Sequence, residues 1–98
     1  VAMARFFWQL NRRTEAIVIL SKKFTLYYRE NCHLCESMRL ALVALQKKLE
    51  FSWEAIDVDG DTELIYRYDT LVPVLEYQGN EVCHYFIDQD AIQNIVTS

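Results

Sequence analysis

The chain has 98 residues, of which 52% are apolar, 13% aromatic and 24% charged, and its formal net charge is -4. That length suffices for one core that buries roughly 60 to 65% of the unfolded surface, and one Pro and two Gly are too few for a disordered or linker-rich chain. No apolar run reaches the roughly 18 residues of a membrane span. One soluble globular domain is expected, monomeric, with no nucleic-acid or membrane partner.

The charge is unevenly placed. Residues 1–50 carry nine Lys/Arg against four Asp/Glu, whereas residues 51–98 carry one against ten. A split of this kind attracts an anionic thiol or an acidic partner in one reading, and is merely two solvated faces in the preferred one. Three cysteines fit a secreted disulfide scaffold poorly and fit one working pair plus a free thiol well. The N-terminal region is basic, but its longest apolar stretch, Ala16 to Leu20, is too short for a signal peptide. A cytoplasmic location is expected.

Residues 1–23 read as an N-terminal extension to a domain spanning 24–98. Phe6, Phe7, Leu10 and Ile17 lie at spacings compatible with a helix, so a helical arm, a start-site extension and a partner-binding tail are the three readings. From Phe24 the pattern is regular. Phe24 to Tyr28 is β-branched and aromatic and predicts a strand, after which Cys35, Met38, Leu42, Leu45 and Leu49 recur at steps of three and four and predict an amphipathic helix.

Cys32-His33-Leu34-Cys35 opens that helix. A C-x-x-C between a strand and a helix reads as a redox pair, because unpaired N–H groups at a helix start favour an anionic sulfur. The spacing serves zinc equally well, but zinc needs further cysteine or histidine ligands that this chain does not supply at suitable positions. Cys35 belongs to the inward stripe, and Cys32 precedes the first turn.

Phe51 to Val58 predicts a second strand, followed by a turn at Asp59-Gly60-Asp61 and a short helix with Thr62 as cap and Leu64, Ile65 and Tyr68 packing inward. Asp57, Asp59, Asp61 and Glu63 alternate as in a calcium loop, but without its glycine and its bidentate glutamate, so turn and cap roles are preferred. Pro73 to Tyr77 and Glu81 to Phe86 form a hairpin across Gln78-Gly79-Asn80, and Asp88 or Asp90 opens a final helix. The order from residue 24 is βαβαββα, giving an α/β fold with a mixed four-stranded sheet and helices on both faces.

Tyr27 to Cys35 and Leu71-Val72-Pro73-Val74-Leu75, in this element order, resemble the glutaredoxin-like form of the thioredoxin fold over about three quarters of the chain. Cys-His-Leu-Cys, together with Val82 to Phe86, resembles a group of small bacterial glutaredoxin-like proteins. The resemblance implies a thiol-disulfide oxidoreductase with Cys32 as nucleophile and Cys35 as resolving thiol. It implies substrate binding by Arg29, which stands where the family has a lysine, by His33 and Leu34, and by Val72 with a cis Pro73. The expected substrates are disulfide-containing proteins or small thiol disulfides, with no tightly bound cofactor, no metal and glutathione as a candidate electron donor. Leu71 replaces the family's Thr, and Phe86 to Asp90 lacks its Gly pair, which weakens the case for glutathione.

A free cysteine is only about 3% thiolate at pH 7, so Cys32 needs a lowered pKa. The helix start and Arg29 push down, and Glu30 and Glu36 push up. His33 reads as an exposed residue of the first turn in preference to a thiolate partner, and Cys83 as a buried inert thiol. Tyr66, Tyr68, Tyr77 and Tyr85 read as core edges or groove walls. Two other readings stand beside the enzyme: a thioredoxin-fold interaction or redox-sensing module without turnover, and a metal site that uses both cysteines.

Overall fold

A computed structural model describes residues 22–98. The readings that concern the N-terminal extension, apart from its last two residues, lie outside the described residues. Strand β1 (Lys22–Tyr28) begins two residues before the expected Phe24, because Lys22 and Lys23 are in register with Phe51 and Ser52 of β2 (Phe51–Asp57). These two strands are parallel and are joined through helix α1 (His33–Leu45). A 3-10 turn, Val58–Gly60, leads into α2 (Thr62–Tyr68). Strands β3 (Val74–Tyr77) and β4 (Asn80–His84) follow as a hairpin, and α3 (Gln89–Thr97) closes the chain. The sheet order is β2-β1-β3-β4, with β3 antiparallel to both of its neighbours. The expected mixed four-stranded sheet is therefore present.

Strand alternation sends neighbouring side chains to opposite faces. Phe24, Leu26 and Leu75 bury one face against Met38 and Leu42 of α1 and Ile92 of α3. Val74 packs on the other face with Val58 and Tyr68, and Leu64 and Leu71 close that smaller cluster. Helices thus cover both faces. Of the expected α1 stripe, Cys35, Met38 and Leu42 are buried; Leu45 ends the helix, and Leu49 packs against the core from the turn beyond it. Among the described residues no helix is long and apolar enough to cross a membrane.

Several local expectations are corrected. Asp61, not Thr62, caps α2, its carboxylate accepting the N–H groups of Glu63 at 2.8 Å and Leu64 at 3.4 Å, while Thr62 is the first helical residue. The hairpin loop has two residues, since Tyr77 pairs with Asn80, and both Gln78 (φ 53°) and Gly79 (φ 80°) occupy the left-handed region that a tight two-residue hairpin demands. Strand β4 stops at His84 because Tyr85 turns left-handed (φ 62°) and its N–H donates to Pro73 O at 2.9 Å. Tyr66 is neither core nor wall, being 89% exposed.

Glu76 is the buried polar residue of β3, 8% exposed. Tyr68 donates its hydroxyl hydrogen bond to this carboxylate, and Tyr27 stacks on Tyr68 with ring centroids 4.5 Å apart. Burial, then the carboxylate, raises the Tyr68 pKa, and burial together with Glu76 raises that of Tyr27. Both shifts favour the neutral phenol in the folded chain. Their contribution to stability is present below the ordinary tyrosine pKa near 10 and is lost as pH rises through the raised folded-state values.

Removing the Tyr68 hydroxyl leaves Glu76 buried with one donor fewer. Tyr68→Phe is therefore expected to cost about 1 to 3 kcal/mol in urea unfolding at neutral pH, whereas Tyr66→Phe stays within about 0.5 kcal/mol. Equal effects of the two substitutions would contradict the assignment.

Candidate functional site

The chain leaves β1 through Arg29 and Glu30 and reverses at Asn31, whose φ of 58° is left-handed. Asn tolerates that backbone better than most residues, because its short polar side chain can hydrogen-bond locally. The reversal delivers Cys32 to the N-cap of α1 in extended conformation (φ -119°, ψ 110°). There its sulfur accepts a hydrogen bond from the Cys35 N–H at 3.1 Å. Helices α2 and α3 are capped in the same way by Asp61 and Asp88. The position that elsewhere takes a carboxylate is here taken by sulfur.

Cys35 lies one turn on, 3% exposed, on the inward face with Met38 and Leu42. The two cysteines form a disulfide across a Cα–Cα distance of 5.2 Å, within the span such a bond requires. Cys32 is half-buried, whereas His33 and Leu34 project outward from the first turn, Leu34 being 37% exposed. Among the described residues no group of three or more His, Cys, Asp or Glu side chains is arranged to hold a metal.

A cleft of about 630 Å³ opens beside the disulfide. It brings together Arg29, Cys32, His33 and Cys35 of the expected site, and adds Tyr28 and Arg39, which the sequence reading missed. Leu34, Val72 and Pro73 do not line it. The Val72–Pro73 peptide is cis; Val72 is half-buried against the Val58, Tyr68 and Val74 cluster, and Pro73 is fully buried. The Val72 N–H donates to Tyr68 O at 3.2 Å, and Pro73 O accepts from Tyr85 N.

Arg29 does not offer a free charge to the sulfur. Its Nε donates to both carboxylate oxygens of Asp59 at 3.1 Å, and its Nη2 donates to Asp69 Oδ1 at 2.6 Å. Nη1 adds a bond to Asp69 O at 3.3 Å, so one guanidinium ties the end of β1 to the 3-10 turn and to the end of α2. Arg39 is engaged as well, its Nη2 lying 2.5 Å from Glu36 Oε1. The Arg39 guanidinium holds the Glu36 carboxyl below the usual carboxylate range. This pair was legible as acid and base three positions apart on a helix face.

The remaining singled-out residues lie elsewhere. Asp57 accepts the Asp59 N–H at 2.9 Å, so the alternating acids act as turn, cap and Arg29 anchor. His84 Nδ1 lies 2.8 Å from Glu81, and its ring packs edge-on against Tyr85. Cys83 is free and half-buried on β4, where burial pushes its thiol pKa up.

A C-x-x-C disulfide at a helix N-terminus, between two parallel strands of a four-stranded mixed sheet, defines a redox-type protein of the thioredoxin fold. The family described as Glutaredoxin-like domain (DUF836) matches residues 23–97, and the chain belongs to this glutaredoxin-like family. A solution NMR structure of a Nitrosomonas europaea protein is similar at 44% identity and a TM-score of 0.71, over 78% of this chain and 92% of that one. An X-ray structure of an X. campestris protein is similar at 31% identity and a TM-score of 0.58, over 76% and 95% of the respective chains. No curated protein matches the chain.

Only the thiolate reacts with an alkylating agent, so a raised pKa and partial burial protect a cysteine. In the reduced protein at pH 7, iodoacetamide is expected to modify Cys32 well before Cys83, read by peptide mass spectrometry. Cys83 labelling should accelerate as pH rises toward its raised pKa. Early labelling of Cys83 at neutral pH would contradict its protection by burial.

Proposed function

We propose that the protein is a thiol-disulfide oxidoreductase that reduces disulfides through Cys32 and Cys35. The observation that carries this reading is the capping position of Cys32. A sulfur that accepts an N–H hydrogen bond at a helix start is stabilised as an anion, an effect of roughly 0.3 to 2 kcal/mol for a charge so placed. That stabilisation pushes the Cys32 thiol pKa down and raises its thiolate share at neutral pH.

The Cys32 thiolate attacks one sulfur of a substrate disulfide, a Cys32–substrate bond forms, and the other substrate sulfur leaves as a thiolate. Cys35 then gives up its proton and attacks the Cys32 sulfur, forming the Cys32–Cys35 disulfide and expelling the second substrate thiolate. Two electrons pass to the substrate. A thiol reductant returns them to the pair, and glutathione is one candidate for that role. The burial of Cys35 supports its assignment as the resolving thiol, because it stands behind Cys32 and out of a substrate's direct reach. The unpaired Cys83 suits a reducing, cytoplasmic compartment.

Cys32→Ser is expected to bring reduction of a small disulfide down to the uncatalysed rate. Cys35→Ser should accumulate the mixed disulfide, detected by intact-protein mass. Retained turnover in Cys32→Ser would overturn the assignment. Equilibration with a thiol-disulfide buffer gives the reduction potential that separates a reductant from an oxidant.

A further inference from the structure

We propose that the cleft beside Cys32 selects disulfide substrates carrying cationic or neutral groups next to the reacting sulfur and disfavours anionic ones. This rests on the oxidoreductase reading above and adds the chemical class of its substrate. Recognition of a substrate carboxylate calls for an arginine or lysine with donors to spare. The cleft contains two arginines, and each is already paired with a carboxylate of the chain.

Arg29 is held by the carboxylates of Asp59 and Asp69 and by a backbone carbonyl, and Arg39 by Glu36. A substrate carboxylate would have to displace a carboxylate already supplied by the chain, or bind beside it. Glu30 also lines the cleft, exposed and without an ion-pair partner among the described residues. Within the lining, Arg29 and Arg39 are matched by Glu30 and Glu36; Asp59 and Asp69, which hold Arg29 from outside the lining, tip the surrounding balance to negative. Asp59 and Asp69 are half exposed, so their field reaches an arriving substrate.

The same balance bears on the approach of substrate. Charge of one sign around a concave site raises the encounter rate of ligands of the opposite sign, an effect that salt screens. The apolar surface nearest the motif in sequence, Leu34, adds no charge. A peptide with a lysine or arginine beside its disulfide meets Glu30 at the cleft and the field of Asp59 and Asp69 behind Arg29, whereas a small thiol with free carboxylates meets that field as like charge.

Single-turnover reduction by the fully reduced wild-type protein tests this with three probes: cystamine, a dication; bis(2-hydroxyethyl) disulfide, neutral; and 3,3'-dithiodipropionate, a dianion. Each rate is divided by the rate with dithiothreitol under the same conditions, which removes intrinsic reactivity. The normalised cystamine rate should exceed that of dithiodipropionate by about tenfold at low ionic strength, and the ratio should fall toward one as salt is raised. Glu30→Gln should narrow the ratio. Glu36→Gln, which releases Arg39, should narrow it further by speeding the dianion, whereas Glu36→Gln with Arg39→Gln should not speed the dianion.

An equal or inverted normalised ratio in the wild-type protein would overturn the charge selection and leave the oxidoreductase reading standing. Failure of all three probes to react faster than the uncatalysed background would overturn that reading itself.

Discussion

The geometry of the site depends on one hydrogen bond, from the Cys35 N–H to the Cys32 sulfur. It is the capping interaction of α1, so the requirement that a helix start be satisfied and the requirement that the sulfur be stabilised are met by the same contact. The left-handed turn at Asn31 places Cys32 there, the packing of Met38 and Leu42 holds the helix at its height above the sheet, and Cys35 follows one turn behind. The redox pair is thereby a property of how α1 begins.

The sequence divides its charges by half, and the fold reunites them. Because β1 and β2 run parallel, basic residues of the first half meet acidic residues of the second: Lys23 reaches diagonally to Glu54, two residues beyond its register partner Ser52, and Arg29 meets Asp59. Arg29 then reaches Asp69 as well. What reads in one dimension as a basic half that carries the cysteines is, in three dimensions, a site whose cations are already matched. A cross-strand pairing rule alone was enough to bring the halves together, but the choice of partner rested on where the 3-10 turn and α2 end.

Most of the fold was legible because its signals are local. The Cys35, Met38 and Leu42 spacing, the strand at Phe24 to Tyr28, the helix opened by Asp88 and the hairpin around Gly79 each depend on a few neighbouring residues. The less legible features are long-range or conformational. Asp59 and Asp69 lie 30 and 40 positions from Arg29. Glu76 in a strand pattern looks like a solvent-facing residue, and only the approach of α2 on that face encloses it with Tyr68. Gln78 and Tyr85 adopt left-handed backbone that their side chains do not advertise. Tyr28 and Arg39 became site residues only when α1 and the end of β1 were set side by side.

Cys35 is at once a disulfide partner and a buried member of the main packing face. Its oxidation state is therefore linked to conformational stability through a closed thermodynamic cycle: unfolding and reduction can be carried out in either order between the same end states. Whatever free energy separates the reduction of this disulfide in the folded chain from its reduction in the unfolded chain must reappear, in equal amount, as the difference in folding stability between the dithiol and disulfide forms. Repacking beside Met38 and Leu42 that favours one form will move the midpoint of the redox couple by the matching amount, without touching either sulfur.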